Sequence, residues 1–432
     1  MKWSRVVSVG CSICRADSGS GGVVTVFDAL HPMNCMEREL PRGAFPRSSL
    51  PASLACHSTP DKSFEVSLMA SIPNLNTLRT GRGGPRLRGG RRGGGGTSSL
   101  EDDGSTEQDN ASKDRIIQQT DYDASSSRLS ALELDYLTDP YAKAFLKPGE
   151  QIPRRYPIIN RGTYVRSTAI DTLVLRFLQA EPGTRKQIIS LGAGSDTRLL
   201  RLVGDHAGKV GVVYHELDFE TNVAAKRAVF EKSPPLADRL QRIKDDGCSY
   251  YLHAADLRDL PPSLSGIESD VPTLILSECC LCYMPPEQAT TAIKYFTDQI
   301  TKPTALVVYE PIRPFDAFGK TMVSNLASRG IHMQTLKRYS SLDAQRQRLR
   351  LAGFDKQGAR DVHQIWESEQ WIPESERERV EKLEWLDEVE EWKLLASHYC
   401  VAWGWKGELF DEAWADLQGG RTREEDREDD ML

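Results

Sequence analysis

Residues 187–198, QIISLGAGSDTR, restrict the fold more than any other stretch of the chain. Ile188, Ile189 and Leu191 form a short apolar run with β-branched residues. Gly192 and Gly194 interrupt it, and Asp196-Thr197 lead into Leu199, Leu200 and Leu202. The pattern reads as strand, tight glycine turn, helix start. In an open α/β sheet, such a turn lets a ligand approach backbone N–H groups at the carboxyl end of a strand. The segment from about residue 113 to 406 is expected to be arranged around a nucleotide-like cofactor at this turn.

The flanking sequence supports an α/β fold. Upstream, Asp and Ser cap residues precede Leu129, Leu132 and Leu134, which predicts a helix from about Ser125 and a second short one near 139–145. Ile170, Leu173, Val174, Phe177 and Leu178 then fall at i, i+3, i+4, i+7 and i+8, an amphipathic helix stopped by Glu181-Pro182-Gly183. Arg166 is expected near its first turn, away from that stripe. Downstream, helix 196–202, strand 210–217, helix 221–230, strand 249–254, strand 273–277, helix 286–299 and strand 305–309 follow in turn. That alternation predicts a mostly parallel sheet covered on both faces. A long charged helix is expected over 374–396, with Val380, Leu383, Leu386 and Val389 facing inward. HYCVAWGWK, 398–406, reads as the last strand.

The 432 residues allow one large domain or two small ones. A formal net charge of -7 argues against bulk nucleic-acid binding by the whole chain. No run of 18 apolar residues occurs, so no membrane span or membrane partner is expected. The nine cysteines are odd in number, and Cys279, Cys280 and Cys282 share one apolar segment where they cannot all pair. A reducing compartment follows, the cytoplasm or the nucleus. Cys11 and Cys14 have the spacing of a redox or zinc pair but lack a second CxxC or CxxH, so no metal site is expected.

Residues 1–112 read as a disordered leader, rich in Ser, Gly and Pro and without apolar periodicity. Ser8, Gly10 and Ser12 interrupt the only short apolar run near the start, and no A-x-A site follows it. Met69 opens MASIPNLNTL, which reads as an alternative beginning. Residues 79–96, RTGRGGPRLRGGRRGGGG, are an Arg/Gly tract that reads as an RNA-binding or arginine-methylated box, or as a soluble tail. No aromatic residue interleaves the arginines, which favours the tail. The acidic stretch 101–114 completes the linker, a domain spans 113–418, and 419–432 form a frayed acidic tail.

The chemistry sits at the strand ends. A dinucleotide fingerprint needs a third glycine where this chain has Thr197. A cofactor with an adenosine but no pyrophosphate fits better, and S-adenosylmethionine is the common one. Asp218 ends the second strand, where a carboxylate accepts hydrogen bonds from ribose hydroxyls. Asp256 follows the third strand, suited to an adenine amino group with the Leu257 backbone beside it. Glu278 ends the fourth strand at the rim of the same crevice.

LGAGSDTR, HELDF, AADLRDL and SECCLCYMPPEQ, with the upstream TDYDASSSRLSA and NRGTYVRS, together resemble the leucine carboxyl methyltransferase family. The resemblance runs from about Thr120 to Lys406. It implies a class I S-adenosylmethionine-dependent methyltransferase fold whose last strand is antiparallel, with extra N-terminal helices and a helical insertion. It implies methylation of the C-terminal leucine carboxylate of the protein phosphatase 2A catalytic subunit, which regulates assembly of the phosphatase, by an enzyme acting as a monomer. Arg166 would hold the carboxylate of the cofactor's methionine part, and Arg128, at a position usually lysine, would add a second positive charge. Gly192 and Gly194 would admit the cofactor to the backbone, Asp218 would hold the ribose, and Asp256 and Leu257 the adenine. Glu278 would hold the methionine amino group or ribose at the rim. Tyr283 reads either as a substrate contact or as core packing.

The resemblance also implies that no side chain is needed as a general base. An α-carboxyl ionises near about 3.3–3.7 and is already a nucleophilic anion at neutral pH. His215 and His253 are therefore expected to be structural. Two alternatives stand beside this reading. One is a wybutosine-type carboxyl methyltransferase acting on transfer RNA, for which the residues after Trp405 are too few to form that enzyme's propeller. The other is an inactive methyltransferase fold serving as an RNA-binding scaffold through residues 79–96.

Overall fold

The middle of the molecule is β1 (Lys186–Leu191), which pairs with β2 (Val212–Asp218) on one side and β4 (Thr273–Glu278) on the other, both parallel. The computed structural model describes residues 104–146, 149–152, 154–206 and 211–418. The leader, Cys11 and Cys14, Met69, the Arg/Gly tract and residues 419–432 lie outside the described residues.

β3 (Ser249–Ala254), β5 (Thr304–Pro311), β6 (Lys356–Asp361) and β7 (Tyr399–Lys406) complete a seven-stranded sheet in the order β3-β2-β1-β4-β5-β7-β6. β1 to β5 run parallel, and β7 runs antiparallel to both β5 and β6. All six residues of β1 and all eight of β5 are buried, as strands in the interior of a sheet covered on both faces must be.

Alternation along β1 divides the core. Ile188 joins the side built by α2 (Pro157–Gln179), where Leu173, Val174 and Phe177 are fully buried. Ile189 joins the other side, with Ile293 and Phe296 of α5 (Pro286–Thr297). β1 and β4 are neighbours although β2 and β3 lie between them in sequence. Their connections leave in opposite directions, and that divergence opens a crevice at the carboxyl ends of the strands.

Several expected boundaries are corrected. The first helix, α1, runs from Gly104 to Glu133 and so includes most of the stretch read as an acidic linker. It turns Thr120, Asp121, Ser127 and Arg128 to a cleft, with Ile117 and Ala124 among them, so an apolar pattern marks only its C-terminal part. The expected helix near 139–145 is one 3-10 turn, Ala142–Phe145, where Asp139 accepts from the N–H groups of Tyr141 and Ala142. α2 starts at Pro157, which places Arg166 in its middle rather than its first turn. The helix expected over 196–202 is a π-helical turn, Leu199–Val203.

The expected helix 374–396 is two, α9 (Glu374–Glu381) and α10 (Val389–Ser397). Glu384 turns inward between them to accept from Arg154 and Asn160, both at 2.8 Å, and Trp385 is left 85% exposed. β6, KQGARD, carries no apolar alternation and escaped sequence reading. The helices α6 (Ala317–Ser328), α7 (Leu342–Leu351) and α8 (Val362–Glu367) fill the insertion between β5 and β7.

The two strand histidines stack on each other with rings nearly parallel, and Tyr251 stacks on His215. His215 Nδ1 lies 3.0 Å from His253 Nε2, and its Nε2 lies 3.2 Å from Gln187 Oε1. Burial, then the neighbouring His253, lower the His215 pKa from 6.5 to about 3. Below the unfolded value the unfolded chain takes up a proton that the folded chain refuses. His215 therefore withdraws stability as pH falls from about 6.5 towards about 3. Denaturant titrations between pH 8 and 5 should show that loss, and His215→Gln should flatten it. An unchanged slope in the variant would refute the assignment.

Candidate active site

The glycine turn is built for close approach. Gly192 has φ +64° and Gly194 φ +44°, the left-handed region that costs a side chain on the order of 1–2 kcal/mol. A Cβ at Gly192 would lie 2.6 Å from Cys280 Sγ, and one at Gly194 would overlap the Asp121 carboxylate. The Gly192 N–H donates to the Leu217 carbonyl at 2.8 Å, which ties the turn to the end of β2.

Asp218 organises the next contact. Its Oδ2 accepts from the Gly194 N–H at 2.7 Å, and its Oδ1 accepts from the Phe219 N–H at 2.7 Å and from Asn222 at 2.9 Å. Burial raises its pKa, and these hydrogen bonds oppose the rise. α1 roofs the turn. Asp121 accepts from the Ser195 N–H and hydroxyl at 2.9 and 2.8 Å, and Arg128 Nη1 donates to the Ser195 carbonyl at 3.0 Å.

Glu278, at the end of β4, accepts from two guanidiniums. Arg166 Nε donates to Oε1, and Arg198 Nη1 donates to Oε2 at 2.7 Å. Burial alone would raise the Glu278 pKa, but Arg166 and then Arg198 outweigh it and keep the carboxyl ionised. Arg198 also donates to Asp171 at 2.7 Å and Asp196 at 2.8 Å. Arg166 lies 4.8 Å above the Tyr309 ring, which supports its guanidinium from below. At the other end, Asp256 accepts from the Arg258 N–H at 2.8 Å, and Arg258 reaches on to Asp114 of α1 at 2.7 and 2.8 Å.

These residues surround a cleft of about 370 Å³, large enough for a cofactor-sized ligand. Arg128, Arg166, Gly192, Gly194, Asp218, Asp256, Leu257, Glu278 and Tyr283 all line it. Sequence reasoning missed Asp121, Asn222, Arg258, Tyr309 and the buried Arg198. Arg198 stood inside LGAGSDTR, two residues after Asp196, which it pairs with. Asp121, Arg258 and Tyr309 act through contacts between distant segments, and Asn222 through Asp218 four residues before it. No histidine lines the cleft among the described residues, and no group of acids, cysteines and histidines there could hold a metal ion.

The chemistry of the lining suits S-adenosylmethionine. Its donor set offers guanidiniums for a carboxylate, acids for hydroxyl and amino groups, and a side-chain-free turn between them. With this strand order, the arrangement defines the class I S-adenosylmethionine-dependent methyltransferase fold.

A family model described as leucine carboxyl methyltransferase matches residues 116–297. Leucine carboxyl methyltransferase 1 of Aspergillus fumigatus is 48% identical over 397 residues, covering 81% of this chain and 98% of that protein. The protein of the same name from Emericella nidulans is 48% identical over 392 residues, covering 82% and 99%. The Arabidopsis thaliana homolog is 34% identical over 303 residues, covering 66% and 88%. This chain belongs to the leucine carboxyl methyltransferase family.

Proposed function

We propose that the chain methylates the α-carboxylate of the C-terminal leucine of the protein phosphatase 2A catalytic subunit, in the cytoplasm. The observation that carries this reading is the division of one cleft into two chemically different parts. One part is the glycine turn with Asp218, Glu278 and Arg166. The other is lined by Tyr283, Ile117, Leu326, Ile331 and Met333, which pack as one apolar cluster.

When bound, S-adenosylmethionine supplies a methyl group on a positively charged sulfur. Arg166 and Arg128 are the residues to hold its methionine carboxylate, Asp218 its ribose, and Asp256 with Leu257 its adenine. An acceptor carboxylate is already ionised at neutral pH and needs no general base. What is left to the protein is orientation and the exclusion of water, which can be worth on the order of 7–11 kcal/mol. Tyr283 and Tyr309 suit that task. Burial raises both phenol pKa values, so they stay neutral.

The five free cysteines among the described residues fit a reducing compartment. The test is incubation with methyl-labelled S-adenosylmethionine and purified phosphatase dimer. Label on the catalytic subunit that base releases as a volatile product supports an ester. Base-stable label, or none, rejects the reading.

A further inference from the structure

Four arginines are the cations that line the cleft among the described residues: Arg128, Arg166, Arg258 and Arg329. Three are committed near the strand ends. Arg128 donates to the carbonyl of Ser195 beside the glycine turn, Arg166 to Glu278, and Arg258 to Asp256. Arg329 stands apart. It follows α6 in a turn whose next residue, Gly330, has φ +76° and packs so closely on α1 that a Cβ would lie 2.7 Å from Ile116. Its Nη2 donates to Asp123 of α1, and its side chain is 28% exposed. Asp123 precedes Arg128 by five residues, about 7.5 Å along the helix at 1.5 Å per residue.

Leu326 and Ile331, on either side of Arg329 in the chain, line the cleft with it. Tyr283 and Ile331 are buried in one small cluster, against which Ile117, Leu326 and Met333 pack. All five line the cleft. A cation at the edge of an apolar pocket is what a chain terminus with an aliphatic side chain and a free carboxylate requires. Two carboxylates must be held apart during the reaction, one on the methyl donor and one on the acceptor. The guanidinium fork suits either, but Arg128 and Arg166 lie on the donor side.

We infer that Arg329 binds the α-carboxylate of the acceptor chain, while Ile117, Leu326, Ile331 and Met333 receive its terminal aliphatic side chain. This rests on the reading above that the acceptor is a C-terminal leucine. Asp123 holds the empty guanidinium in place, and the arriving carboxylate shares its donors. The same pocket rejects a chain ending in a charged residue, because that charge would be stripped of water without a partner.

The full chain carrying Arg329→Gln, Arg329→Lys or Asp123→Asn tests this. Arg329→Gln should raise the KM for the phosphatase catalytic subunit by about tenfold or more, the weight of a charge-assisted hydrogen bond. Calorimetry should find its S-adenosylmethionine affinity unchanged. Arg329→Lys should recover part of the loss, and Asp123→Asn should shift KM far less than Arg329→Gln. If Arg329 merely tied α1 to α6, the Asp123 and Arg329 variants would be equally impaired, and that result overturns the inference. So does a wild-type KM in Arg329→Gln.

A binding readout separates this failure from that of the proposed reaction. N-acetyl-leucine should perturb the wild-type NMR spectrum at lower concentration than N-acetyl-leucinamide, and the preference should vanish in Arg329→Gln. Absence of that preference in the wild type overturns the inference. Absence of a base-labile ester on the subunit, with the preference intact, overturns only the reaction.

Discussion

Arg166→Ala should lower the affinity for S-adenosylmethionine by about a hundredfold, an effect of about 3 kcal/mol for a lost charge-assisted pair. The fold should survive. Glu278 keeps its second guanidinium, Arg198, at 2.7 Å, and Arg198 is itself held by Asp171 and Asp196. The end of β4 is therefore not left with an unpaired buried charge. Asp218→Ala should act in the same direction from the opposite wall, because it removes the ribose acceptor and releases the Gly194 N–H at 2.7 Å. Calorimetry on folded protein reads both. Wild-type affinity in Arg166→Ala would move the methionine carboxylate away from this arginine and reverse the orientation assigned to the donor.

The second large effect concerns stability. Glu310, 1% exposed at the end of β5, has no part in the chemistry proposed here. Its Oε2 accepts from Arg348 at 2.8 Å, with Thr335 at 3.3 Å and Gln345 at 3.5 Å, while Oε1 and Arg348 Nη2 are buried without a partner. The group fastens α7 and the segment before it to the sheet. Glu310→Ala would strand the Arg348 charge, which is 3% exposed, at a cost of about 3–5 kcal/mol. The melting temperature should fall by on the order of 10 °C. The double variant Glu310→Leu with Arg348→Met should regain most of the loss, because a pair with unsatisfied atoms is no better than an apolar one of similar volume. A double variant as unstable as the single would show that the pair itself, not the orphaned charge, is what matters.

Both predictions use residues whose importance was unequally visible. Arg166 was marked by its place in NRGTYVRS. Glu310 stood at the end of a strand like several other acids, and only its buried partner, 38 residues later in the chain, explains it. The insertion that brings Arg348 there was also opaque, since α6 and α7 are short helices beside a strand without apolar alternation.

Local chemistry written in the sequence determined the centre of the molecule. β-branched runs buried on both faces must become interior strands, glycines at positive φ must make the turn, and acids closing successive parallel strands must meet at one edge. Those rules act within a few residues, so they can be read without coordinates. Only the tertiary structure decided what covers that edge. The roof, α1, meets the cleft with mostly polar residues, and Leu129 and Leu132 give an apolar signal only near its end. The partnership of Arg166 with Arg198 around Glu278, and that of Arg329 with Asp123, join segments 80 to 206 residues apart. Such contacts are chosen by packing and charge across the whole fold, and no short window of sequence contains both partners.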